Sequence, residues 1–126
     1  MTRVIPSGSG RRLTLPGRSA VELVSGAAGD GQVTLRRVTI PPERGETPAR
    51  RPHRHECEEV MVVLAGTGTF VAGGRADPVG PGDAIVVTPG EPHHTRNTGD
   101  GDLVLLCFFP VPDLPRATVE LPGPRP

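Results

Sequence analysis

Seventeen glycines and sixteen prolines punctuate the 126 residues of this chain, well above ordinary usage, and they cut its apolar residues into short runs. Such runs suit strands and turns rather than long helices. Residues 13–15 and 19–25 read as strands, followed by a loop rich in Gly, Ala and Asp at 26–31. Residues 32–40 form a better strand, with Val33, Leu35, Arg37 and Thr39 on one face and Thr34, Arg36, Val38 and Ile40 on the other. Pro41-Pro42 ends it, and a polar loop over 43–51 follows. Residues 59–65 carry Val60-Met61-Val62-Val63-Leu64, apolar on both faces as in a buried strand. Gly66-Thr67-Gly68, Gly73-Gly74 and Pro81-Gly82-Asp83 read as turns, and residues 69–72, 84–88 and 103–109 as further strands. Roughly ten short strands without a helix-period segment predict an all-β fold, a two-sheet jelly roll or small barrel.

The length suits one domain. Within it, residues 1–32 supply N-terminal strands and a loop, 33–110 the barrel core, and 111–126 a Pro-rich tail that reads as extended or loose. Fourteen basic and fourteen acidic residues cancel, which leaves no electrostatic footprint for nucleic acid or an anionic membrane. No apolar run approaches the ~18 residues of a membrane span, and the first residues lack the apolar stretch of a signal peptide. Two cysteines, Cys57 and Cys107, make no disulfide framework. Together these features predict a cytoplasmic protein whose partner is neither nucleic acid nor membrane. Every basic residue is an arginine, a bias that a high-GC bacterial genome produces, while Lys, Tyr and Trp are absent. The chain therefore has no Schiff-base lysine and no tyrosyl general acid.

All four histidines fall in two clusters, His53-Arg54-His55 and His93-His94. Side chains two apart on a strand share a face, so His53 and His55 can present ring nitrogens to one point. A His-x-His pair alone is a weak sign, since it also occurs on solvated strands. Here Glu59 follows after Glu56-Cys57-Glu58, a segment short enough to return a carboxylate to the same point, and His93 can add a third imidazole. Imidazole plus carboxylate is the ligand set of a borderline transition metal, and open positions on such an ion characterise catalytic sites.

Around these residues the chain resembles the cupin superfamily. Its first motif has the form Gly-x5-His-x-His-x3,4-Glu-x6-Gly, matched by His53, His55, Glu59 and Gly66, with Thr47 where the opening glycine is expected. The second, Gly-x5-Pro-x-Gly-x2-His-x3-Asn, is matched more loosely by Gly82, Pro89, Gly90, His93 and Asn97. The resemblance implies a double-stranded β-helix barrel holding one divalent transition metal per chain (Fe, Mn, Ni or Zn) on His53, His55, Glu59 and His93. It implies a metal-dependent enzyme acting on a small molecule: first a dioxygenase-type oxidoreductase on an enol, phenol or carboxylate, alternatively a non-redox isomerase, lyase or polyketide-type cyclase. A non-catalytic ligand- or metal-binding cupin is the further alternative. Glu59 is the candidate catalytic base.

Asn97 shares a face with His93 and reads either as a hydrogen-bonding neighbour of the ligands or substrate, or as a turn residue. His94 points the other way, toward solvent or a partner, with a general-base role as its alternative. One of Arg36 and Arg37 must face the barrel side or cap its rim, and Arg37 is the candidate for a substrate contact. Small cupins commonly pair through their sheets, and the apolar strands at 60–64 and 103–109 predict a homodimer.

Overall fold

Alternation along each strand decides which side chains meet inside the protein. The computed structural model describes residues 2–29, 31–43 and 52–121. Its strands are β1 (Arg11–Leu15), β2 (Arg18–Val24), β3 (Thr34–Ile40), β4 (His53–His55), β5 (Glu59–Ala65), β6 (Gly68–Ala72), β7 (Arg75–Val79), β8 (Ala84–Val87), β9 (His93–Asn97), β10 (Leu103–Phe109) and β11 (Thr118–Glu120). In β3 the buried set is Thr34, Arg36, Val38 and Ile40, and in β10 it is Leu103, Leu105, Cys107 and Phe109. The antiparallel register sets Leu105 beside both Val38 and Val63, so three strands contribute to one apolar layer.

Two antiparallel sheets result, six-stranded in the order β1-β2-β3-β10-β5-β8 and five-stranded in the order β11-β4-β9-β6-β7. Their inner faces enclose the core, which makes the architecture the expected jelly-roll barrel. Gly73 and Gly74, both at positive φ, close the β6–β7 hairpin. Gly66 also has positive φ, and a Cβ there would meet the Asp102 carbonyl oxygen at 2.4 Å, so only glycine allows this approach.

Two strands went unrecognised in the sequence. β7 contains Pro78 and is largely exposed at a sheet edge, where no apolar alternation is required. β11 lies in the segment expected to be an extended or loose tail; its residues are extended in a paired strand, and the loose alternative is corrected here. A 3-10 turn at Leu114–Ala117 inserts Leu114, only 1% exposed, into the core. Beyond it β11 pairs with β4, flanked by bonds from Glu56 N to Ala117 O at 2.7 Å and from Leu121 N to Pro52 O at 2.9 Å. Thr34 Oγ1 donates to Val111 O and Gly26 N to Pro112 O, which pin the approach to that turn. Prolines here shape a packed path rather than loosen it. The polar loop after Glu43, including Thr47, and residues 122–126 lie outside the described residues.

The apolar strand β5 is also less enclosed than its composition suggests. Glu59, Met61 and Val63 point inward, whereas Val60 and Val62 are half-buried and Leu64 is exposed on the outer face. Among the described residues, no helix is long and apolar enough to cross a membrane.

Leu114→Ala should cost about 2–5 kcal/mol of stability in denaturant unfolding, the range for truncating a buried leucine. A loose tail would show no measurable loss.

Candidate metal centre

β4 lies between β11 and β9, and its register with β9 sets His53 opposite His93. Period-2 alternation brings His55 to the face of His53. From His55, Glu56-Cys57-Glu58 carries the chain across to the six-stranded sheet, where Glu59 begins β5. Three imidazoles from one sheet thus meet a carboxylate from the other. Ring centroids are 4.4 Å apart for His53 and His93, 4.9 Å for His53 and His55, and 5.4 Å for His55 and His93. One ligand atom from each of His53, His55, Glu59 and His93 lies within 4.8 Å of all the others, and every member except half-buried His53 is buried.

Contacts on the far side of two rings determine which nitrogens face the centre. His93 Nδ1 is 2.9 Å from the Glu91 carbonyl, which can only accept, so Nδ1 carries the proton and Nε2 turns to Glu59 Oε1 at 3.1 Å. His55 Nδ1 is 2.9 Å from Thr118 Oγ1, and that hydroxyl donates to Leu114 O. Its remaining role is to accept from Nδ1, which leaves His55 Nε2 3.4 Å from the same Glu59 oxygen. Phe109 meets the His55 ring edge-on and Phe70 stacks on His93, so packing holds both planes.

Lone pairs therefore converge on a carboxylate that is itself an acceptor. Either protons on the rings or a cation must lie between them. His53 Nδ1 and His55 Nε2 are buried without a hydrogen-bond partner, and orphaned imidazole nitrogens beside a buried carboxylate fit a divalent ion of borderline softness. Burial, with the charges of His93 and Arg18, pushes the His53 ring down to about 2, which keeps it neutral and ready to ligate. Burial alone would raise the Glu59 carboxyl, but the His55 and His93 rings that face it outweigh burial and hold it at about 2. Protons and metal compete for the same positions.

The cluster forms part of the wall of a cavity of about 270 Å³. Val38, Ile40, Met61, Leu105, Phe109 and Leu114 supply its apolar walls. His94 alternates away from His93, is half-buried, and borders the cavity without joining the cluster.

Asn97 takes the turn role of its two readings, and the expectation for Arg37 is corrected. Asn97 does share the face of His93, yet its amide donates to Ile40 O and Gly101 O, both at 2.8 Å, and its Oδ1 accepts from Gly99 N. These bonds to backbone make it the clasp of the β9–β10 turn. Arg37 lies on the outer face of β3, whereas Arg36 faces inward and lines the cavity. Arg36 tolerates burial because Nε and Nη2 each lie 2.9 Å from Glu22 Oε2, and Glu22 Oε1 takes Arg11 at 3.0 Å. The signal for Arg36 was its shared face with Val38 and Ile40.

Sequence reasoning missed Arg18, Glu22, Thr118 and Glu120. Glu22 was detectable as a charge on the inward side of β2, beside Ala20. For Thr118 no local signal existed, since its importance comes from pairing across sixty-three positions. Cys107 is buried and Cys57 half-buried. Burial pushes both thiols up, so neither is poised as a thiolate.

The Cupin domain family matches residues 36–109. Over 58 residues the chain is 40% identical to an oxalate-binding protein of Thermotoga maritima, a match covering 45% of this chain and 48% of that protein. The chain spans about half the length or less of the curated relatives it matches. A predicted oxalate decarboxylase from Thermotoga maritima superposes with a TM-score of 0.70 at 25% identity, covering 86% of this chain and 99% of the other. The polyketide cyclase RemF from Streptomyces resistomycificus superposes with a TM-score of 0.76 at 23% identity, covering 99% and 89%.

Thr118→Val keeps the side-chain shape but removes the acceptor for His55 Nδ1–H. Metal affinity measured by chelator competition should fall ~10–100-fold, the usual effect of losing a partner behind a ligand, and Thr118→Ser should retain it. Unchanged affinity in the valine variant would mean that another contact orients His55.

Proposed function

Because the chain belongs to the cupin family, whose domain matches residues 36–109, we propose that it is a metal-dependent enzyme acting on a small molecule through an enol, phenol or carboxylate oxygen, in the first instance of dioxygenase type. The observation that carries this reading is the convergence of His53, His55, Glu59 and His93 in the wall of a largely apolar cavity. A divalent ion held there (Fe, Mn, Ni or Zn) supplies Lewis acidity, and a redox-active one supplies electron transfer as well. The protein residues do the rest. Imidazoles pinned by Thr118, Glu91, Phe70 and Phe109 hold the ligand atoms in place. Apolar walls exclude water and strengthen every charge interaction inside. Proton removal from a bound substrate is assigned to the Glu59 carboxylate, which is buried among the ring nitrogens and ionised.

A second reading, non-redox lyase, isomerase or cyclase chemistry at the same residues, is supported by likeness to a predicted oxalate decarboxylase and a polyketide cyclase. The relative named for binding oxalate supports a third, in which the barrel holds a ligand without turnover. Oxygen-uptake and product assays on metal-analysed protein, against a panel of enols, phenols and carboxylates, separate the three. Two free cysteines agree with a cytoplasmic setting.

The second part of the proposal is a homodimer. On the outer face of the six-stranded sheet, Leu35, Phe108, Val60 and Val86 follow one another across β3, β10, β5 and β8. Val86 is 66% exposed, and Phe108 and Leu64 are exposed on the same outer face. A contiguous apolar face of this kind supports burial against a second copy.

Glu59→Gln should keep most of its metal, since three imidazoles still bind a divalent ion, while losing about a hundredfold or more in turnover. Unchanged turnover in the metal-loaded variant would remove Glu59 as the base. Light scattering should give twice 13.2 kDa for the native protein, and Val86→Lys should shift it toward the monomer. A native mass of one chain at micromolar concentration would refute the dimer.

A further inference from the structure

Among the described residues, two guanidinium groups line the cavity, those of Arg18 and Arg36, and their charges are treated differently. Arg36 is paired inside the wall with Glu22, which also takes Arg11, so its charge is balanced without a ligand. Arg18 stands at the start of β2 with a side chain only 12% exposed. One terminal nitrogen donates to the Pro16 carbonyl at 2.9 Å. The other is 3.6 Å from Glu120 Oε1, too long for a hydrogen bond. Guanidinium has more N–H donors than these contacts use, so a half-buried Arg18 whose carboxylate neighbour stands at 3.6 Å has donors left for a ligand. Glu120, whose side chain is 37% exposed, is free to move toward solvent.

We propose that Arg18 anchors the carboxylate of a small organic acid with an apolar body, and that Glu120 holds Arg18 until that carboxylate displaces it. This deepens the preceding functional reading by naming the substrate class and rests on the same cavity. A carboxylate matches the planar guanidinium bidentately, which Glu120 at its present distance does not achieve. The remaining wall dictates the rest of the ligand. Val38, Ile40, Met61, Leu105 and Leu114 offer hydrocarbon surface and no hydrogen bonds, so they favour an apolar body over a diacid made almost wholly of oxygen. The cavity, about 270 Å³, is just below the ~300 Å³ at which drug-sized sites begin, which limits the acid to a small one. Register connects the anchor to the cluster. Glu120 is the cross-strand partner of His53, so an acid that takes its place at Arg18 lies one strand from the imidazoles.

The test is titration calorimetry on chelator-treated, metal-free full-length protein, with benzoate, benzamide, acetate and oxalate as probes. Benzoate should bind saturably and more tightly than acetate or oxalate, and benzamide, of the same shape without the charge, should not bind. Arg18→Gln should weaken benzoate at least tenfold, Arg18→Lys should fall between it and the native protein, and Glu120→Gln should tighten benzoate several-fold by removing the competing carboxylate. Benzamide binding as well as benzoate, or Glu120→Gln weakening benzoate, would overturn the assignment. If Arg18→Gln does not fold, those two measurements still decide it. Oxalate binding more tightly than benzoate would overturn the apolar body. Because the protein is metal-free, loss of carboxylate binding leaves the metal reading standing, and failure to bind metal leaves this one standing.

Discussion

A buried carboxylate must be neutralised, and here the groups that can do so come from the opposite sheet. Glu59 is 3% exposed and projects from β5 toward imidazoles on β4 and β9. Leaving such a charge unpaired would cost several kcal/mol, so the two sheets cannot separate or slide at this end without a large penalty. The contacts behind the rings then acquire a purpose. Glu91 O and the Thr118–Leu114 relay occupy the outer nitrogens of His93 and His55, so only the inner nitrogens remain to answer Glu59. A cluster held this firmly resists collapse whether protons or a metal ion occupy it.

The same reasoning distinguishes the other charges of the interior. Glu22 is as buried as Glu59, but two arginines satisfy it with hydrogen bonds of 2.9 to 3.0 Å, and burial opposed by those contacts leaves its carboxyl below the usual range. Ser25 leads the groups that hold the Glu22 carboxyl down against burial, ahead of Arg36 and Arg11, and that network is closed. Glu59 meets imidazoles, whose ring nitrogens can offer lone pairs to a metal ion, whereas guanidinium has no acceptor at all. One interior carboxylate is therefore structural and the other exchangeable, and the difference lies in the partner.

The four clustered residues were legible because strand spacing aligns His53 with His55, Glu59 follows within reach of one short connection, and the cupin resemblance pointed to His93 as the fourth. Strand faces were also legible: Arg36 had been grouped with Val38 and Ile40. What the pattern could not supply was Glu22, a neighbour on another strand whose presence makes an inward arginine tolerable. Asn97 shows the reverse limit. Its face was right, but its hydrogen bonds go to Ile40 and Gly101, and competition between a turn and a site depends on where the next strand runs. β11 was illegible because three residues between prolines carry no period. Only its pairing with β4 makes it a strand.

The span of these contacts along the chain has a kinetic consequence. His93 meets Glu59 across thirty-four positions, His55 meets Thr118 across sixty-three, and Thr34 meets Val111 across seventy-seven. Each joins two remote stretches, and their entropy of closure must be met before the contact returns any energy. Chains dominated by such non-local pairings fold in milliseconds to seconds rather than microseconds. During that interval the histidine strand and its carboxylate are present but not yet gathered. Because its members come from both sheets, the centre is complete only when β4, β5 and β9 have been brought together.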